Sequence, residues 1–449
     1  MNIPKFFRGK KILRKWVQDD HLHRLFTNAS VLFSGNVISS LIGIVSMAMT
    51  ARSLGVEQYG ILVLITTYVV IVDNLVNFQS WQAIIKYGSD ALEQKSEKDF
   101  KALIKFGFLI DISTALLGTL IAISFALIVG KLKGWDDHII TMINVFSITI
   151  LFNLKGVPIA ILRLFNKFHK IANQKVFSAV IKLLGITIAY FFGVGIWSFL
   201  LIFILCDIIG KLILIYFAYN ELVKRRYHNF MLSKSRNISD KFSGIWKFAW
   251  TSNIHSSVRL SISEIDIVII GAMVGASNAG LYKIVKKIGS TLMKLSSPLY
   301  QAIYPEIAKS ISASDYCNTV NLILSPMKII TILAGFLLLL FLITGKTLIT
   351  LILGAEYIGA YLPTMLYLIG SCIAIITFSF QPTMLSLNKA QLSLLILLFT
   401  SLIYLVFVYF LVNRIGIIGA SLSYIIFYML WAFIQGFAII KAVKGRNNA

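Results

Sequence analysis

Cysteine is nearly absent. The three in this 449-residue chain, Cys206, Cys317 and Cys372, have no metal-like spacing, so neither redox nor zinc chemistry is indicated. Charge is scarce as well: 14% of the residues are charged and 57% are hydrophobic, a composition that excludes an ordinary soluble protein. Acidic residues are scarcer than basic ones, 19 against 42, which leaves a net charge of +23. Such an excess could serve a nucleic acid, but the basic residues gather in alternate loops between apolar runs, as the positive-inside rule describes. No apolar run directly follows the basic stretch Lys5 to Lys15, so a cleaved secretory signal is not expected. Proline is rare, and six of the seven (Pro158, Pro298, Pro305, Pro326, Pro363 and Pro382) lie in or beside apolar runs. There the ring removes a backbone hydrogen bond and bends a helix, either as a static kink that shapes a cavity or as a hinge.

What is abundant is apolar sequence in lengths that cross a bilayer, roughly 20 residues each. Twelve such runs occur, at 29–51, 60–82, 103–129, 139–162, 172–192, 197–219, 247–273, 279–303, 318–343, 362–386, 391–412 and 417–440. The expected class is therefore all-α, a polytopic membrane protein of twelve spans. Of the Lys and Arg residues, 28 fall in one set of loops and termini and 5 in the other, which predicts that both termini are cytoplasmic. The basic segment 1–28, including Phe6 to Trp16, reads either as an interfacial helix on anionic lipid or as a disordered basic anchor. A tail at 441–449 ends the chain.

Shifting the chain by about 220 residues aligns it weakly with itself. Leu54 to Ile61 after span 1 answers Val274 to Leu281 after span 7, Asn166-Lys167 answers Asn388-Lys389, and Gly193-Val194-Gly195 answers Gly416 to Gly419. Since six spans separate the repeats, the halves 29–219 and 247–440 share an orientation and relate by a pseudo-two-fold along the membrane normal. Segment 220–246 is the cytoplasmic linker, and the cavity is expected between the halves. Glycine turns at 54–60, 193–196, 274–280 and 413–419 are expected to close tight hairpins on the outer face.

Charges inside spans are costly and normally face a water-filled interior. On span 8, Lys283, Lys286, Lys287, Ser290 and Lys294 share one helical face; on span 7, Ser252, His255, Arg259, Ser263 and Asp266 share another. Measured from their common turn, Arg259 and Lys294 both lie roughly 21–22 Å down, while Asp266 and Lys286 both lie roughly 10 Å down. Arg259 and Lys294 are the leading candidates for contact with an anionic substrate. Lys283 either lines the cavity or snorkels to the interface, and Lys286 or Lys287 either lines it or neutralises Asp266. Lys155 and Lys182 are further lining candidates in the first half. His255 reads as a packing residue or a proton switch. Asp207 and Lys211, spaced i and i+4, are expected to pair. Asp266, Asp73, Asp111 and Glu264 are candidates for binding a coupling proton or sodium ion, with interhelical hydrogen bonding as their other reading.

Two motifs carry a family resemblance: Ala51-Arg52-Ser53-Leu54-Gly55 with Tyr59-Gly60, and Asp266-Ile267-Val268-Ile269-Ile270-Gly271 with Gly275, Gly280 and Tyr282. With the twelve-span layout, they resemble the Wzx-type oligosaccharide flippases of the multidrug/oligosaccharidyl-lipid/polysaccharide exporter superfamily. The resemblance implies a bacterial cytoplasmic membrane protein, not an enzyme. It would move undecaprenyl-diphosphate-linked oligosaccharide between leaflets for O-antigen, capsule or another surface polysaccharide. No resident cofactor is implied, the partners are lipid, the lipid-linked sugar and other polysaccharide assembly proteins, and no nucleic acid is involved. Family versions of the span 7 motif often add a second charge beside the aspartate, where this chain has Ile265 and Ile267.

Three alternatives fit less well. A membrane polysaccharide polymerase or ligase would need a large outer loop with catalytic groups, and the longest here, about 344–361, holds only Lys346 and Glu356 as charges. A multidrug exporter of the same superfamily would favour acidic and aromatic groups over this excess of cations. A major facilitator carrier would show a glycine- and arginine-rich motif in loop 83–102, which is lacking.

Overall fold

The computed structural model describes residues 20–78, 80–133, 135–233, 242–294, 296–313 and 315–447. Within these, the side chains of 20–29, 132–133, 252, 254–263, 296–298, 301–302, 316 and 444–447 lie outside the description. The segment Phe6 to Trp16 and most of the linker's basic residues beyond Arg226 likewise fall outside it. The described residues form fifteen α-helices and two short 3₁₀ turns, with no strand.

In the first half these are α1 (Asp20–Val76), α2 (Ser80–Glu93), α3 (Glu97–Lys133), α4 (Asp137–Leu151), α5 (Gly156–Leu164), α6 (Phe168–Phe192) and α7 (Ile196–Lys224). The second half holds α8 (Ile245–Val274), α9 (Ala276–Met293), α10 (Ser296–Ser312), α11 (Tyr316–Leu353), α12 (Tyr361–Ile376), α13 (Phe380–Ser386), α14 (Ala390–Ile415) and α15 (Ile417–Asn447). They build twelve spans. Span 1 and the start of span 2 share α1, while spans 2, 4, 8 and 10 are each made of two consecutive helices. Nine stretches of the described residues are long and apolar enough to cross a membrane, one of them holding spans 1 and 2. Spans 7 and 8 are not among the nine: much of span 7 lies outside the described side chains, and Lys283, Lys286, Lys287 and Lys294 interrupt the apolar sequence of span 8.

The four interrupted spans were read from sequence as continuous, and prolines explain part of the difference. Pro158, Pro298, Pro363 and Pro382 are each the third residue of a new helix, in α5, α10, α12 and α13. In a first turn the missing N–H would have no intrahelical partner anyway, so these prolines start helices rather than kink them. Pro305 and Pro326 do lie inside helices.

The internal repeat extends to the backbone. Left-handed conformations recur at matching positions: Gly55 and Gly275 at φ 71° and 90°, Asn166 and Asn388 at 56° and 59°, and Gly193 and Gly416 both at 61°. Gly60 and Gly280, also equivalent, meet each other directly. A Cβ on Gly60 would come 2.0 Å from the Ala276 carbonyl oxygen, and one on Gly280 would come 2.9 Å from the Gly60 Cα. Only glycine allows backbones that close. Tyr357 adds a hydrogen bond from its hydroxyl to the Ala51 carbonyl at 2.7 Å, and Arg52 donates to the Leu351 carbonyl.

Packing then defines a cleft. At the end bearing these glycines, buried residues of both halves, from Ala51, Leu62 and Phe199 to Ile267, Tyr282 and Val408, merge into one core. At the linker end the core divides, with one part around Phe100, Leu103 and Ile161 and another around Ile307, Ile330 and Met384. Halves joined at one end and separate at the other enclose a cleft that opens on the linker side.

Candidate substrate cleft

Charges on the second half pair with one another. Asp266 on α8 is buried and takes the Lys286 ammonium of α9 at 2.7 and 2.9 Å. The Tyr404 hydroxyl of α14 donates to its other face at 2.6 Å. Equal depth on facing helices is what the helical geometry predicts for this pair. Around it lies an aromatic cluster, with Tyr282 edge-on to Tyr367 and Tyr367 stacked on Tyr424 at 3.8 Å between ring centroids. Such a dry surround makes a lone charge costly, so both partners are needed. Toward the glycine end Lys283 meets Glu264 at 2.8 Å, an ion pair rather than an interfacial snorkel.

The lysines left over converge on α1. Lys294 donates to the Ser40 hydroxyl at 2.6 Å, and the Lys287 ammonium packs so close to Gly43 that a Cβ there would lie 3.0 Å from it. From the other side Lys175 of α6 donates to Asn36 at 2.9 Å, while Lys182 lies over the Phe203 ring at 3.3 Å. Lys175 and Lys182 are seven residues apart, as are Lys287 and Lys294, and Asn36, Ser40 and Gly43 follow the same two-turn spacing on α1. Seven residues is two helical turns, so each helix shows one face to the others. The result is four lysines in two tiers beside the small polar face of α1. None of the four makes an ion pair among the described residues. The carboxylate nearest Lys182, Asp207, is held by Lys211 at 2.6 Å, the i to i+4 pair the sequence predicts.

An apolar groove of about 380 Å³ touches this group at Lys294 and Ser40. Leu41 of α1, Ile288 and Lys294 of α9, Leu337 and Phe341 of α11 and Leu368 of α12 help line it, so its walls come from both halves. Leu41 and Leu340 are among the large apolar side chains left exposed there.

The first-half carboxylates behave differently. Asp73 receives the side-chain amides of Asn153, at 2.6 Å, and Asn77, at 3.3 Å, and Asp111 accepts the Val157 backbone N–H at 3.1 Å. Neither forms an ion pair among the described residues. Lys155 stands at the head of α5, where its charge acts on Asp111. The side chains of Arg259, Ser252, His255 and Ser263 lie outside the described residues, so the proposed match of Arg259 with Lys294 is not among the contacts seen.

Lys175 stands near the cytoplasmic start of the run 172–192, where a basic residue reads as part of the positive-inside pattern; its seven-residue spacing from Lys182 is the signal available in the sequence. Asn36 and Ser40, and the tyrosines of spans 10 to 12, carried none beyond helical periodicity. Among the described residues no group of three or more His, Cys, Asp or Glu could hold a metal ion.

Two bundles sharing a core at one end, with a cationic cleft between them, define a multi-pass helical membrane protein. Residues 25–311 match the family described as Polysaccharide biosynthesis protein, and the chain belongs to that family. It is 26% identical over 353 residues to Inner membrane protein YghQ of Escherichia coli (strain K12), covering 78% of this chain and 98% of that protein. Its fold is similar to the inward-facing conformation of a multidrug resistance MATE family transporter of the MOP superfamily, with a TM-score of 0.74 at 12% identity, covering 92% and 96% of the two chains. The lipid II flippase MurJ in an inward closed conformation gives 0.68 at 14% identity, covering 93% and 90%.

Proposed function

We propose that this protein is a flippase. Its cargo would be an oligosaccharide linked through a diphosphate to a polyprenyl lipid, carried from the inner to the outer leaflet of the bacterial cytoplasmic membrane by alternating access. Undecaprenyl diphosphate is the expected carrier, and a surface polysaccharide such as O-antigen or capsule the expected destination. The observation that carries this reading is the group of four lysines beside α1, one of which, Lys294, lines an apolar groove. A diphosphate moving through a low-dielectric interior needs cations that are not already neutralised, and these four make no ion pair among the described residues. Walls drawn from both halves would let a prenyl tail stay in lipid while its head group enters the cleft. Membership of the polysaccharide biosynthesis family supports the sugar, and the fold shared with a lipid II flippase supports the lipid. The charge balance supports a cytoplasmic position for both termini.

Reconstitution into proteoliposomes tests this. Lipid-diphosphate-linked oligosaccharide supplied in one leaflet should become accessible to an enzyme or lectin on the other side at a rate set by the protein. Transport of cationic drugs with no movement of the lipid-linked sugar would replace this reading with that of a multidrug exporter.

A further inference from the structure

The motif Ala51-Arg52-Ser53-Leu54-Gly55 stands at the end of the molecule where the halves share a core, and the bonds it makes there cross from one half to the other. Gly55 ends the helix of span 1, so Ala51 and Arg52 lie in its last turn. In the second half α11 ends at Leu353, and the chain passes through Gly354, at φ 112°, into the short 3₁₀ turn Ala355–Ala360. The carbonyls of a helix's last turn have no partner within that helix. Here each helix end is served from the opposite half. The Tyr357 hydroxyl of the turn donates to the Ala51 carbonyl of span 1 at 2.7 Å, and Arg52 of span 1 donates to the Leu351 carbonyl in the last turn of α11. A cation at a helix C-terminus also meets the negative end of the helix dipole, which favours the second bond.

The rest of the turn closes on the same place. Tyr357 is 1% exposed, and its ring stands edge-on to Tyr59 at 6.4 Å between centroids. A Cβ on Gly55 would lie 3.7 Å from the Glu356 carboxyl group, and one on Gly359 would lie 3.8 Å from Leu281 of α9. The turn therefore fills the angle between the end of span 1 and the start of span 8. The first half uses its equivalent loop, between α3 and α4, differently. Asp136, which the shift of about 220 residues sets opposite Glu356, caps its own helix by accepting the His138 N–H at 3.0 Å.

We propose that the turn Ala355–Ala360 is a latch, fastened to span 1 through Tyr357 and Arg52, and that its release lets the cleft open at the glycine end. Opening there parts the halves, so both exchanged bonds break and two helix-end carbonyls pass to water. The glycine contacts of Gly60 with Ala276 and Gly280 part as well, but they are packing without a directional bond. The latch bonds thus bias the resting protein toward the form open on the linker side. This inference rests on the reading that the cleft alternates between two sides, and it holds whatever the cargo.

Cysteine labelling of the full-length protein in lipid nanodiscs tests it without any cargo. In a background of Cys206→Ser, Cys317→Ser and Cys372→Ser, the variant Ala279→Cys places one thiol at a wholly buried position in the core shared by both halves, where a water-soluble maleimide reaches it only when that end opens. Where reclosing outpaces labelling, the rate follows the open population. Tyr357→Phe, which removes a single oxygen, should raise the rate about fivefold, the equilibrium worth of one neutral hydrogen bond. Arg52→Gln should raise it about tenfold or more, because the lost donor is charged, and Arg52→Lys should fall between Arg52→Gln and the parent. Tyr361→Phe removes a similar bond, to the Leu342 carbonyl at 2.9 Å, but within the second half, and should leave the rate unchanged. The latch is overturned if folded Tyr357→Phe and Arg52→Gln label at the parent rate, if Tyr361→Phe accelerates labelling as much as Tyr357→Phe, or if the thiol labels in none of them. Failure of the lipid-transport assay would leave these rates unchanged, so the two readings fall separately.

Discussion

The two halves repeat each other in backbone and differ in charge. Both carry left-handed turns at matching positions and interrupted spans at matching places, yet the four carboxylates that are candidates for ion binding are held differently in the two halves. In the second half Glu264 and Asp266 are each held by a lysine. In the first half Asp73 and Asp111 are held by amides and backbone, with no ion pair among the described residues. The repeat therefore preserves how the chain turns and packs, while side chains differ: lysines hold Glu264 and Asp266 on one side, amides and backbone hold Asp73 and Asp111 on the other, and between them lie lysines with no ion pair among the described residues.

That contrast can be broken first at Asp266. Asp266→Ala should strand the Lys286 ammonium in an aromatic interior and cost about 3–5 kcal/mol, read as a large fall in thermal stability in detergent. If stability is unchanged, the second half does not depend on its ion pair. Removing only the hydroxyl in Tyr404→Phe should cost about 1.5–3 kcal/mol, the worth of a hydrogen bond to a charged group, by the same measurement. Lys283→Ala should be the mildest, below about 1 kcal/mol, because the Glu264 pair is partly exposed and screened. A reversed order between Lys283→Ala and Asp266→Ala would mean that burial does not set the strength of these pairs.

Much of this fold can be read from the sequence, because twelve apolar runs and a repeat of glycines leave few arrangements. The glycine positions were legible for a physical reason: positive φ and backbone contact both demand that residue, as at Gly55, Gly275, Gly60 and Gly280. Helical geometry also brought Asp266 to Lys286. What could not be read was the partner across a gap in sequence. Ser40 and Asn36 look like ordinary small polar residues until α6 and α9 place lysines against them. The interrupted spans stayed hidden because Asn153 and Asn77 interrupt apolar runs no more than many polar residues do, and only the approach of Asp73 gives them a role.

The free lysines are the point on which function rests, and transport by Lys287→Ala/Lys294→Ala measures it most directly. With folded protein reconstituted at equal density, flipping of lipid-diphosphate-linked oligosaccharide should fall by roughly a hundredfold, taking each lost charge-assisted contact at about 1.5 kcal/mol. Wild-type flipping by the double variant would mean that the diphosphate does not pass by these lysines.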